Sequence, residues 1–141
     1  MKGPAVILGV MLLLAMGLSV LAAGEEQKFN PDEVKAVKQA CLDYVEGYFD
    51  SDGNRIAQGV HPSLVKRTIK GNTILEMTRE QLIGVAVAKK RAKPPITVEV
   101  YDIYNGLAVA KITSGFVDYV QVAKFEDKWQ VVNVLWGNFV K

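Results

Sequence analysis

The chain has 141 residues, 17 basic and 15 acidic side chains, one cysteine and one histidine. That length suggests a single domain. The near balance of charge excludes a strong global field for nucleic acid or anionic lipid. One cysteine excludes an internal disulfide, and one Cys with one His excludes the usual zinc and haem spacings, so no metal or cofactor is read from the sequence.

Half of the residues are hydrophobic, a figure raised by the first two dozen. Lys2 precedes a run without charge from Ala5 to Leu21, and the small residues Ala22, Ala23 and Gly24 follow. A basic start, an apolar core and a small-residue end describe a secretory signal peptide. Residues 1–23 are read as the leader and 24–141 as the domain. The rival reading is an uncleaved membrane anchor, for which the run is slightly short of the ~20 apolar residues that span a bilayer. The expected location is periplasmic or secreted, with membrane attachment only if the leader is retained.

Asn30-Pro31-Asp32-Glu33 is a helix start, with Asn at the cap, Pro at the first helical position and acids in the first turn. Val34, Val37, Cys41, Tyr44, Val45 and Tyr48 then form one apolar side, and the helix should end near Phe49 or Asp50. Cys41 on that stripe reads as a small buried hydrophobe rather than a reactive thiol. Ser51-Asp52-Gly53-Asn54 is a turn into a short helix from Arg55 to Val60, interrupted by His61-Pro62. Leu64 to Ile69 and Thr73 to Met77 flank the tight turn Gly71-Asn72, as in a small hairpin. Thr78 followed by Gln81 is a capping box that opens a third helix running to about Arg91. Lys89, Lys90 and Arg91 complement the negative end of that helix, and Pro94-Pro95 stops it.

The rest of the chain alternates with period two. Ile96 to Tyr104 and Leu107 to Thr113 are strands joined by Asn105-Gly106, a strong hairpin turn. Phe116 to Trp136 is a long hairpin about Glu126-Asp127-Lys128, the centre of a curved sheet. Helices gathered early and strands gathered late point to α+β.

Three stretches, HPSLVKR at 61 to 67, AVAKI at 108 to 112 and FVDYVQVAKFEDKWQVVNVLW at 116 to 136, resemble the nuclear transport factor 2-like superfamily. Within it the chain is similar to the lumazine-binding-like family of small bacterial proteins. The resemblance implies a cone-shaped fold, with three N-terminal helices packed on a strongly curved, mostly antiparallel sheet. It does not imply a reaction, since ligand binding, catalysis and scaffolding all occur on this fold.

Ketosteroid isomerase shares the superfamily. It uses a helix-1 tyrosine and a protonated aspartate as an oxyanion hole, with a second aspartate as base. By resemblance the tyrosine position falls on Tyr44, the base on Thr68 and the acid on Gln121. A threonine hydroxyl is no general base near neutral pH, so this isomerisation is not expected. His61 is the one side chain that titrates unaided near pH 6.5 and is the candidate base of a dehydratase-, cyclase- or isomerase-like site, with Asp43 or Asp118 to orient it. The alternative is a histidine that ends a helix and bonds the backbone.

If Gln121 faces inward, strand parity carries Tyr119, Ala123 and Phe125 with it. The resemblance to the isomerase implies that Gln130, Val132, Val134 and Trp136 face inward on the last strand, and Trp129, Val131, Asn133 and Leu135 outward. Such an outward apolar face calls for a partner, and the resemblance, since sheet-to-sheet dimers are common in the superfamily, implies a homodimer through the outer sheet face. The leading expectation is a ligand-binding protein rather than an enzyme. It would hold a small apolar or aromatic ligand with polar contacts from Tyr44 and Gln121 and walls from Tyr48, Tyr119, Val132 and Trp136. The alternatives are an enzyme using His61 and a dimeric scaffold whose cone is filled by its own side chains.

Overall fold

The computed structural model describes residues 29–138, so the expected leader, residues 1–23, lies outside the described residues. Three helices, α1 (Pro31–Asp50), α2 (Gly53–Gly59) and α3 (Arg79–Ala88), accompany six strands. The strands are β1 (Val60–Lys70), β2 (Thr73–Thr78), β3 (Thr97–Tyr104), β4 (Leu107–Thr113), β5 (Phe116–Phe125) and β6 (Lys128–Asn138). They form one sheet in the order β2-β1-β6-β5-β4-β3. Only β1 and β6 pair in parallel. The sheet curls without closing, and α1 packs across its concave face. This is the α+β cone expected from the sequence.

Local chemistry sets the helix ends. The Asn30 side chain accepts from the Asp32 backbone N–H at 2.9 Å, with Pro31 beginning α1. Ser51 closes α1 in the left-handed region, at φ 60°. Thr78 and Gln81 make the reciprocal capping box of α3. That helix stops at Ala88, short of the expected Arg91. Lys89 is already extended, and the Arg91 guanidinium turns back to donate to the Val85 and Ala86 carbonyls at 2.9 and 3.2 Å. It satisfies the helix end from outside and stacks 4.3 Å over the Tyr48 ring.

The core comprises Val37, Cys41, Tyr44 and Val45 of α1 against Ala110, Ile112, Val120, Val122, Val131 and Val134 of the sheet. Burial pushes the Cys41 thiol up to about 12, helped by the charge of Asp118, so it stays protonated. Gly59 lets α2 approach α1. A Cβ there would stand 2.5 Å from the Ala40 carbonyl oxygen and 2.9 Å from the Tyr44 nitrogen. Gly59→Ala is therefore expected to cost about 1–3 kcal/mol through forced backbone movement, measured by urea unfolding. An unchanged midpoint would refute this packing account.

Two strands differ from the expected parity. On β5 it is Asp118, Val120 and Val122 that are buried, while Tyr119 is 54% exposed and Gln121 also faces out. The assignment of Tyr119 and Gln121 to the interior is thus corrected. On β6, Trp129 and Val131 are buried, as is Val134, and Leu135 is exposed. A bulge explains this: Gln121 pairs with Asn133, but Val122 pairs with Val131, leaving Val132 as the extra residue. Beyond the bulge Val134 and Trp136 keep the expected side; before it the faces exchange. A second irregularity takes in His61 and Pro62, between Val60 and Val65 of β1, where proline's missing N–H costs no ladder bond.

The outer face carries a polar row. Arg67 pairs with Glu76 at 2.6 Å and donates to Asn133 at 2.9 Å. Asn133 in turn donates to Gln121 at 3.0 Å. Around it Ile69, Val109, Tyr119 and Leu135 are exposed. Lys111 lies half-buried on this face, 3.8 Å from Glu99.

A candidate ligand-binding site

The cone holds a cavity of about 250 Å³, partly open to solvent, lined by Tyr44, Val45, Tyr48, Lys66, Met77, Leu82, Val85, Phe116 and Trp136. Helix α1 supplies the two tyrosines, and α3 with the end of β2 forms the opposite wall. Most of the lining is aliphatic or aromatic. Tyr48, Phe49, Phe116 and Trp136 pack edge-on or stacked, with ring centroids 5.4–6.0 Å apart.

One polar cluster interrupts that lining. Lys66 rises from β1 on the same side as Leu64, with a side chain 8% exposed. Its Nζ donates to Asp118 Oδ1 at 2.8 Å and to the Tyr44 hydroxyl. The Tyr44 hydroxyl donates to the same carboxylate oxygen at 3.3 Å. Asp118 is fully buried, and its second oxygen has no partner among the described residues. The ammonium also stands 5.1 Å from the Trp136 ring centroid, 5.2 Å from that of Tyr44 and 5.5 Å from that of Phe116. Aromatic faces and a carboxylate thus hold one cation in an apolar cone.

Burial disfavours charge on both partners. It pushes Asp118 above the usual carboxylate range and Lys66 below the usual lysine range, and their mutual attraction opposes both shifts. Burial, reinforced by the charge of Asp118, raises the Tyr44 phenol well above its ordinary value, so it remains a donor. Tyr44→Phe is expected to cost about 1.5–3 kcal/mol, because it removes a hydrogen bond to a charged group. Thermal unfolding checks this, and an unchanged melting point would remove the phenol from the network.

The structure brings Tyr44, Tyr48 and Trp136 together at the cavity. Tyr119 and Gln121 stand on the opposite face of the sheet, and Val132, in the bulge, is not among the lining residues. His61 is also absent from the lining. It stacks on Phe125 with centroids 4.2 Å apart, and its Nδ1 accepts from the Ser63 N–H at 3.1 Å. Neither expected orienting group reaches it. Asp43 is engaged by Arg55 and Gln39, and Asp118 by Lys66 and Tyr44.

Lys66 is not among the residues expected at the site, and Asp118 is expected there only as a partner for His61. The signal is parity: Lys66 shares a face with Leu64, and Asp118 shares one with Val120 and Val122. Opposite charges on two inward faces predict each other. The acid beside the helix-1 tyrosine is Asp118, three residues before the position where Gln121 was placed.

Residues 32–137 match the family model described as "Putative lumazine-binding". The chain belongs to this family. The lumazine-binding-like chain is similar in fold to a nuclear transport factor 2-like protein from Shewanella baltica, with TM-score 0.69 and 19% identity over 81% of this chain and 99% of that one. A nuclear transport factor 2-like protein from Silicibacter pomeroyi gives TM-score 0.68 and 13% identity, covering 79% and 100% of the two chains. A ketosteroid isomerase-like protein from Erwinia carotovora atroseptica gives TM-score 0.61 and 13% identity, covering 80% and 100%. At these identities the likeness establishes the fold of this lumazine-binding-like protein and no activity. No curated protein matches its sequence.

Proposed function

We propose that this chain is an exported small-ligand-binding protein whose ligand, small and partly aromatic or apolar, lies in the cone. The observation that carries the reading is an apolar cavity of about 250 Å³ with one buried polar cluster against it. Apolar walls with a few placed polar groups are what a small-molecule site needs, and this volume is just under the usual range of about 300–1,000 Å³. Tyr48 and Trp136 serve as walls. Lys66, rather than Gln121, offers the polar contact beside Tyr44. The enzyme alternative with His61 as base is weakened, because His61 does not line the cavity.

Native mass spectrometry of protein purified from its own source tests the reading. The expected result is a reproducible extra mass, one small molecule per chain, lost when Val85→Trp fills the cavity. Chains free of any added mass would favour a cone that serves as a scaffold.

A homodimer through the outer sheet face is part of the same proposal. It rests on Ile69, Val109, Tyr119 and Leu135, since Trp129 and Val131 are interior. A second copy would cover these residues and meet the Glu76–Arg67–Asn133–Gln121 row with its own. Sedimentation of a monomer would contradict it.

A further inference from the structure

The cluster against the cavity has a definite charge. Lys66 and Asp118 together sum to zero whether the proton stays on Nζ or passes to the carboxylate, and Tyr44 is neutral. Arg55 of α2 is engaged by Asp43, Glu46 and Asp50. Arg91 keeps its charge but directs it at the carbonyl end of α3 behind the Tyr48 ring, and it is not among the lining residues. Of the residues that line the cavity, only Lys66 is cationic.

Two of the three Nζ donors of Lys66 are directed at Asp118 Oδ1 and the Tyr44 hydroxyl. The third has no acceptor among the described residues, and Lys66 belongs to the cavity wall. The site therefore offers one hydrogen bond into apolar surroundings. A ligand carboxylate placed there would bring a second negative charge to a single ammonium, in a place where Asp118 already has an oxygen without a donor. Like charges sharing a desolvated site repel strongly.

Resting on the ligand-binding reading above, we propose that the cone selects planar ligands that are uncharged at their buried end, received through a carbonyl oxygen or ring nitrogen by Lys66. Asp118 is the specificity-determining residue. It touches no ligand and acts by cancelling the charge of the lysine that does. Specificity here is a penalty against the wrong ligand as much as a contact with the right one.

Benzamide and benzoate are planar, nearly isosteric probes that differ in charge, and calorimetric titration at neutral pH reads both. The wild-type protein is expected to bind benzamide at least about tenfold more tightly than benzoate, the scale of one buried hydrogen bond set against one uncompensated charge. Asp118→Asn keeps the shape and removes the carboxylate that holds Lys66 in its charged form against burial, so an anionic probe becomes the partner that keeps the lysine protonated and the order is expected to invert. A purely structural Asp118 would weaken both probes alike and leave their order unchanged.

Preference of the wild type for benzoate would overturn the proposal, as would an unchanged order in Asp118→Asn. The wild-type comparison stands by itself if the variant does not fold. Binding of neither probe by a protein that carries a native ligand would overturn this selectivity alone. Binding of neither by a protein that carries none would overturn the ligand-binding reading as well.

Discussion

Lys66→Met is expected to lower stability by about 3–5 kcal/mol, because it leaves Asp118 buried without its counter-charge. Methionine matches the apolar stem of lysine without its ammonium, so little of this loss is packing. Replacing both partners, as in Lys66→Met with Asp118→Leu, removes the unpaired charge and should recover most of the loss. A double variant no more stable than Lys66→Met would place the cost in shape rather than charge.

The single variant has a pH signature. Burial already holds Asp118 above its ordinary value, and loss of the ammonium raises it further. A carboxyl with a raised folded value keeps its proton where the unfolded chain has released it. Its contribution is therefore complete at acid pH and is lost as pH rises through the folded value. Lys66→Met should accordingly be most stable in acid and weaken toward neutrality. In the wild type Lys66 adds the opposite slope on the alkaline side. Its folded value is lowered, so the unfolded chain binds more protons, and stability rises with pH up to the ordinary lysine range. Denaturant midpoints across pH, for wild type and variant, read both slopes.

Trp129→Ala is the second large expected effect. Trp129 is 5% exposed and belongs to the central core. Truncating a buried tryptophan costs about 3–5 kcal/mol, through lost burial and the cavity left behind. The oligomeric state at concentrations where the variant remains folded should not change, because the side chain lies inside the sheet. A mild loss of stability together with loss of a dimer would return Trp129 to the outer face. Leu135→Asp is the complementary variant. At 48% exposure it should leave the fold intact and, if the outer face pairs two copies, release monomers.

The contrast between Trp129 and Leu135 shows where the sequence was legible. Every described helix and strand was visible as a pattern: the cap at Asn30, the box at Thr78 and Gln81, the turn at Asn105-Gly106 and the long alternation after Phe116. These are local signals, and local chemistry decided them. Facing is not local. Both sides of β5 contain apolar residues: Val120 and Val122 on one, Val117 and Tyr119 on the other. The expected parity of β5 rests on the inward role given to Gln121 by resemblance, not on a pattern within the strand. On β6 the extra residue at Val132 reverses parity midway, and nothing in the alternation marks it. A carry-over of roles onto Gln121 therefore missed the carboxylate three residues earlier. Tyr44, Tyr48 and Trp136 were placed at the cavity because their positions depend on the helix stripe and on the part of β6 beyond the bulge. Lys66 went unnoticed because a charged strand residue is ordinarily solvated, and only the fold reveals its partner.

The chain has two tryptophans, one lining the cavity and one in the core. Their indole N–H resonances in a ¹H–¹⁵N spectrum report on the two places separately. Titration with a set of small planar aromatic amides and ketones tests the central claim, that the cone is a site with Lys66 against its aromatic wall. The account predicts that the Trp136 resonance moves saturably while that of Trp129 stays in place, and that Val85→Trp abolishes the shift. Resonances that both stay fixed across the set, or that move together without saturation, would contradict it.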